Sequence, residues 1–142
     1  MDLLVDFRFC AAHRLPRHPG RCQRLHGHSY RLQVLVRGTP EPTTGMVIDF
    51  YTVESSVSAV VDELDGTCLN EVLATPTAEA IVVYLWRRIS PSLPSLFELR
   101  LFETDDCQVI YRGEPVAEAL LDPGSDEKHP STAPGFGSGL SG

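Results

Sequence analysis

The stretch His26-Gly-His-Ser-Tyr-Arg-Leu-Gln-Val-Leu-Val36 alternates between two kinds of residue. A period of two places successive side chains on opposite faces of a β-strand. One face then carries two neighbouring histidines followed by large apolar side chains, while the other face is mostly polar. We predict a strand over residues 26–37 whose apolar face joins the core and comprises His26, His28, Tyr30, Leu32, Val34 and Val36.

Alternation predicts three further strands. The first covers residues 3–9, and residues 11–25, rich in Pro, Gly, Arg and His, are expected to form the loop that follows it. The other two strands are predicted over residues 96–103 and 107–112. Glu103 shares the apolar face of its strand, which is unusual for a carboxylate and requires hydrogen-bond donors nearby.

Two segments between these strands have helical periodicity. Residues 50–64 carry an apolar stripe, and Asp49 is expected to cap the helix. After a break at Asp65-Gly66, a second helix is expected from about Thr75-Pro76 to Ile89. The order β-β-α-α-β-β indicates an α+β fold, an antiparallel sheet with two helices on one face. The stripe of the first helix comprises Phe50, Val53, Val57, Val60, Val61 and Leu64.

Composition limits the classes of protein that fit. The 142 residues suit one domain, and the net charge of −7 argues against a nucleic-acid surface. We expect a domain over residues 1–119 and a disordered tail over 120–142, where Gly, Ser, Pro, Asp and Thr dominate. The sequence contains neither an apolar run of membrane-spanning length nor a signal-peptide pattern, so we expect a cytoplasmic protein without a membrane partner.

Three of the five histidines lie in two short stretches, as His13, His26 and His28. On a strand, His26 and His28 can point at one ion, and His13 can supply a third ligand. Zinc favours such a set of nitrogen ligands, and a three-histidine site leaves a position open for water or substrate. The alternative is that these histidines are satisfied by hydrogen bonds in the core or in loops.

Two other side chains are candidates for chemistry. Cys22 is flanked by Arg21 and Arg24, which favour a thiolate base or nucleophile, although it can equally be a loop thiol without a role. Glu103 can be a carboxylate that ends a strand, or it can bind a guanidine-like ligand edge through two hydrogen bonds.

Taken together, the motifs resemble the 6-pyruvoyl-tetrahydropterin synthase family, and within it the 6-carboxy-tetrahydropterin synthases of queuosine-type 7-deazapurine biosynthesis. The resemblance covers about residues 2–113. It depends on the following segments: Phe9-Cys-Ala-Ala-His13, Cys22-x-x-x-His26-Gly-His28-x-Tyr30, Gly45-Met-Val-Ile-Asp49-Phe50, Leu64-Asp65 with Leu69-Asn70, Pro76-Thr77-x-Glu79, and Glu103-Thr104.

The resemblance implies a T-fold that associates into a barrel, as a homohexamer with active sites between subunits. It implies that His13, His26 and His28 bind zinc, which acidifies the side-chain hydroxyls of 7,8-dihydroneopterin triphosphate. Cys22 then corresponds to the general base. Glu103 corresponds to the carboxylate that binds the pterin, with Thr104 and Thr77 assisting. The carboxy branch releases acetaldehyde and triphosphate, whereas the pyruvoyl branch eliminates triphosphate without cleaving the side chain.

One position departs from the family pattern. The family usually has Leu-Asp-His between the helices, and its aspartate and histidine act as an acid–base pair. Here Asp65 is followed by Gly66. His18 in the preceding loop is a possible substitute, and Cys68 is a second. Three hypotheses remain open: a 6-carboxy-tetrahydropterin synthase, a related activity such as pyruvoyl formation or cleavage of a simpler pterin, and a zinc- and pterin-binding protein with little catalysis.

Overall fold

A single five-stranded sheet organises the chain in the computed structural model, which describes residues 1–123. The strands are β1 (Asp2–His13), β2 (His26–Arg37), β3 (Thr67–Cys68), β4 (Leu96–Phe102) and β5 (Gln108–Tyr111), in the spatial order β3-β1-β2-β4-β5. β1, β2, β4 and β5 are antiparallel neighbours, whereas β3 runs parallel to β1. The sheet is therefore mixed, because β3 is a fifth strand that the sequence did not indicate.

β1 and β2 pair along their full lengths, from Asp2 opposite Arg37 to His13 opposite His26. β1 therefore extends beyond the predicted residues 3–9, and the predicted loop begins only after His13. Residues 11–13 have weak strand propensity, but each of them is paired with a residue of β2. The predicted apolar face of β2 is confirmed, since Tyr30, Leu32, Val34 and Val36 are all buried in the core.

Helix α1 (Phe50–Leu64) has the predicted bounds, and the Asp49 carboxylate accepts a hydrogen bond from the Tyr51 N–H at 2.9 Å. Its valines and Leu64 are buried, but Phe50 is 54% exposed, so its assignment to the core stripe was wrong. Phe50 is the first residue of the helix and precedes the segment that contacts the sheet. Among the described residues, no helix has the length and apolar character needed to cross a membrane.

Helix α2 (Ala78–Ile89) begins two or three residues later than predicted. The Thr77 hydroxyl caps the helix by accepting from the Ala80 N–H at 3.2 Å, which leaves Pro76 in the preceding turn. Both helices contribute apolar side chains to one core with β1, β2 and β4. The opposite face of the sheet is largely polar, with Glu98 bound by Arg100 and Arg112.

The chain continues past β5 into a 3-10 turn (Glu118–Leu121). Leu120 and Leu121 pack against the core, and the Ala74 N–H donates to the Asp122 carbonyl at 2.9 Å. The ordered packing thus extends a few residues beyond the boundary expected at 119. The disorder predicted for the tail concerns residues that, from 124 onward, lie outside the described part of the chain.

Candidate metal centre and active site

The three candidate histidines meet where β1 ends and β2 begins. His13 and His26 are directly paired, and His28 lies two residues further along β2 on the same face. One ring nitrogen from each lies within 4.8 Å of the others. A tetrahedral ion with bonds of about 2.1 Å separates its ligand atoms by about 3.4 Å, which this cluster can approach with small movements.

Backbone carbonyls fix the orientation of two of the rings. His13 Nδ1 is 2.8 Å from the Pro76 carbonyl oxygen, and His26 Nδ1 is 2.7 Å from the Arg24 carbonyl oxygen. Because a carbonyl only accepts, each Nδ1 must carry the proton and donate. In the neutral rings both Nε2 atoms then have free lone pairs, yet they lie 3.0 Å apart. A shared cation relieves that contact, so the arrangement fits a metal ion.

His28 gives a second indication that the cluster fits a metal ion. Its Nε2 is the buried side-chain polar atom within residues 1–123 that has no hydrogen-bond partner. A buried polar group without a partner is costly. A metal bound by all three Nε2 atoms would satisfy it. The three histidines therefore form a group that could hold a metal ion.

Burial supports the same chemistry at His13, which is fully inaccessible to solvent. Burial lowers the pKa of His13, while the Pro76 carbonyl opposes the shift. The imidazole is therefore favoured in its neutral form, as a metal ligand must be. Tyr30 packs below the cluster and stacks on Phe9 with ring centroids 4.9 Å apart, and burial raises the pKa of its hydroxyl.

Glu103 is a carboxylate that lies beside this cluster. It follows the last residue of β4, and its Oε1 is 3.6 Å from His28 Nε2. The half-buried Glu103 side chain remains open to a ligand, while its backbone N–H donates to the Cys107 carbonyl at 3.0 Å. The neighbouring Thr104 hydroxyl accepts from the Cys107 N–H at 3.1 Å and so stabilises the turn to β5.

Other predicted site residues lie apart from the cluster or have a structural partner. Thr77 follows Pro76 directly, and its hydroxyl caps α2. Cys22 is half-buried in the 3-10 turn Arg21–Gln23, and within residues 1–123 no hydrogen bond joins its thiol to the histidines. His18 is exposed in the same loop, where its Nδ1 accepts from the Gly20 N–H at 3.0 Å.

Asp65 and Gly66 contact β1 at Cys10. The Asp65 Oδ1 accepts from the Cys10 N–H at 2.8 Å, and the Gly66 N–H donates to the Cys10 carbonyl at 2.7 Å. Gly66 has φ +73°, in the left-handed region, immediately after the residue that caps the C-terminus of α1. It lines an open cleft of about 430 Å³ together with Cys10 and Ser29.

Sequence reasoning missed the carbonyls of Pro76 and Arg24 as partners of the histidines. Any residue has a carbonyl, so no residue type signals such a role. Asn70 was noted only as part of a motif. In the structure its side chain binds the backbone next to His13, a contact that no sequence spacing predicts.

Comparisons with known proteins agree with this fold. Residues 2–114 match the 6-pyruvoyl tetrahydropterin synthase family. The chain belongs to that family, and it is accordingly an enzyme of the lyase class. The solved structure of Caenorhabditis elegans 6-pyruvoyl tetrahydropterin synthase superposes with a TM-score of 0.75 at 25% identity, covering 80% of this chain and 96% of that one.

Two curated relatives have different names. A 6-carboxy-5,6,7,8-tetrahydropterin synthase from Synechocystis sp. is 38% identical over 107 residues, covering 70% of this chain and 83% of the relative. A dihydroneopterin monophosphate aldolase from Pyrococcus furiosus is 38% identical over 78 residues, covering 55% of this chain and 67% of the relative. Similar sequences in this family thus have different named activities.

Proposed function

We propose that this protein is a zinc-dependent 6-carboxy-5,6,7,8-tetrahydropterin synthase that converts 7,8-dihydroneopterin triphosphate with release of acetaldehyde and triphosphate. The convergence of three histidine nitrogens beside Glu103, one of them buried without a partner, is the observation that carries the proposal. The similarity to the Synechocystis protein of that name supports the carboxy branch.

His13, His26 and His28 would hold the zinc through Nε2, with the Nδ1 atoms of His13 and His26 kept on backbone carbonyls. Bound there, zinc would supply Lewis acidity to the hydroxyl groups of the substrate side chain. Glu103 would orient the pterin, because its two carboxylate oxygens can accept from a ring N–H and an adjacent amino group. The 3.6 Å separation between Glu103 Oε1 and His28 Nε2 would place the pterin-binding group beside the metal-binding group.

Cys22 would act as the base that removes a proton from the substrate side chain. Cys22 is half-buried in the loop before β2, four residues before His26. Asp65 uses one carboxylate oxygen to hold the Cys10 N–H, and its Oδ2 makes no hydrogen bond within residues 1–123, so that oxygen is available for a proton. Gly66 contributes no side chain, and we therefore propose slower proton transfer than in family members with a histidine.

We also propose a homohexameric, cytoplasmic enzyme with its active sites between subunits. The sheet ends in two short edge strands, the two-residue β3 and the four-residue β5. Pairing between subunits would cover such edges. Light scattering coupled to size-exclusion chromatography would measure the subunit number.

The decisive experiment is anaerobic incubation of the zinc-loaded protein with 7,8-dihydroneopterin triphosphate, followed by mass spectrometry. A 6-carboxy-tetrahydropterin with equimolar acetaldehyde supports the proposal, and the His28→Ala protein serves as the control. Triphosphate release without acetaldehyde would indicate the pyruvoyl reaction. Unchanged substrate, with zinc and pterin bound, would indicate a binding protein.

A second candidate function is side-chain cleavage of 7,8-dihydroneopterin monophosphate. The similarity to the Pyrococcus furiosus aldolase favours it as the alternative. Parallel incubations with the monophosphate and the triphosphate distinguish the two, since the preferred substrate has the larger kcat/KM.

A further inference from the structure

The side chain of Asn70 binds the backbone of Arg14, the residue that directly follows the end of β1 at His13. The Asn70 Oδ1 accepts from the Arg14 N–H at 2.8 Å, and the Asn70 Nδ2 donates to the Arg14 carbonyl at 2.9 Å. Both backbone polar groups of the residue after His13 are therefore bound by one side chain. An amide side chain offers both an acceptor oxygen and a donor NH2 group, so it can replace the C=O and N–H of a residue in a neighbouring strand.

This contact extends a parallel ladder along the edge of β1. Gly66 bonds to Cys10, and β3 continues the ladder with Thr67 opposite Ala11 and Cys68 opposite Ala12. β3 ends there, before His13. The side chain of Asn70 then provides the next pair of hydrogen bonds, at Arg14. Since Leu69 beside it is buried in the core, Asn70 is held on a fixed support.

The positions of the other two histidines, His26 and His28, depend on the end of β1, because both pair with it in the sheet. Within residues 1–123, His26 pairs in the sheet with His13 alone, and His28 pairs with Ala11 alone. On its other side, β2 begins pairing with β4 at Arg31, beyond both histidines. If the end of β1 frays, all three ligands lose their relative positions. Strand ends without such a partner are the parts of a sheet that open most easily.

We propose that Asn70 is a positioning residue for the metal centre, holding the end of β1 so that the three histidine nitrogens stay preorganised. The inference rests on the proposed metal site. It differs from the carbonyl contacts of Pro76 and Arg24, which orient individual rings. Asn70 instead fixes the backbone from which His13 projects. Loss of a hydrogen bond made directly to a ligand ring typically lowers metal affinity by about 10- to 100-fold, and we expect the lower end of that range for a contact that acts through the backbone of the next residue.

The test compares zinc affinity in full-length wild-type, Asn70→Ala and Asn70→Asp proteins by competition with a chromophoric chelator. We expect Asn70→Ala to raise the zinc Kd about tenfold. Asn70→Asp keeps an acceptor for the Arg14 N–H but sets a carboxylate oxygen against the Arg14 carbonyl, so its Kd should also exceed that of wild type. Glu41→Ala is the matched control, because Glu41 also makes two side-chain bonds to backbone, to Thr43 and Thr44, in a remote loop.

Cobalt substitution provides a readout that stability alone does not change. The absorption spectrum of bound Co²⁺ reports ligand geometry, and we expect Asn70→Ala to alter it while Glu41→Ala does not. A Kd within twofold of wild type and an unchanged spectrum in Asn70→Ala would overturn the inference. If that variant does not fold, a wild-type Kd and spectrum in Asn70→Asp would overturn it. A wild-type protein that binds no zinc, or binds it equally well after His28→Ala, would overturn the metal site itself.

Discussion

Replacing Gly66 with histidine would restore the side chain that the family pattern has at this position, and the structure predicts two separate effects. The first is on stability. Gly66 has φ +73°, where a residue with a Cβ is disfavoured by about 1 kcal/mol. A Cβ at Gly66 meets no heavy atom within 4 Å, so no steric clash adds to this cost. The melting temperature should fall by about 4 °C.

The second effect is on catalysis. Gly66 lines the open cleft beside Cys10 and Ser29, so an imidazole has room there, next to the Asp65 carboxylate. A correctly placed acid–base group accelerates proton transfer by about 10²-fold or more. Gly66→Ala is the matched control, since it has the same backbone cost without an imidazole. We therefore expect both variants to lose similar stability, and only Gly66→His to gain turnover.

The assay is acetaldehyde release from 7,8-dihydroneopterin triphosphate, with thermal unfolding of the same samples. Equal turnover in Gly66→His and wild type would refute the reasoning that an acid–base group is missing, and would favour a different mechanism or a binding protein. Unchanged melting temperatures in both variants would refute the argument from the left-handed backbone. The two outcomes are independent because they are measured separately.

Three further changes have defined outcomes. Cys22→Ala should abolish turnover while metal analysis still finds stoichiometric zinc, and loss of zinc would make Cys22 a ligand instead. Glu103→Ala should weaken pterin binding with the metal retained, measured by fluorescence titration with a dihydropterin; an unchanged affinity would contradict that role. Gly113→Ala should destabilise the fold by about 2 kcal/mol or more, because Gly113 has φ +81° and a Cβ there would lie 2.7 Å from Trp86 Cζ2. A urea unfolding midpoint equal to that of wild type would contradict this expectation.

The candidate site was only partly accessible from the sequence. The period of two put His26 and His28 on one face of a strand, and the structure confirms that placement. The convergence of His13 with them depends on the register of β1 and β2, which pairs His13 with His26. Strand pairing brings together residues 13 positions apart, and a local pattern does not specify it. The hydrogen-bond partners of the His13 and His26 rings are backbone carbonyl groups, which every residue type has, so the sequence does not indicate them.

The apolar stripe of α1, the alternation of β2 and the cap at Asp49 follow from the sequence alone, because each depends on residues that are close neighbours along the chain. The full length of β1, the parallel β3 and the contacts of Asn70 with Arg14 depend instead on the folded arrangement. Thr67 and Cys68 are too few to show a strand pattern, and they form a strand because they pair with Ala11 and Ala12 of β1. Pairing between distant segments provides hydrogen bonds for backbone N–H and C=O groups, which are the same in nearly every residue. The sequence of a segment therefore does not show where such pairing will occur.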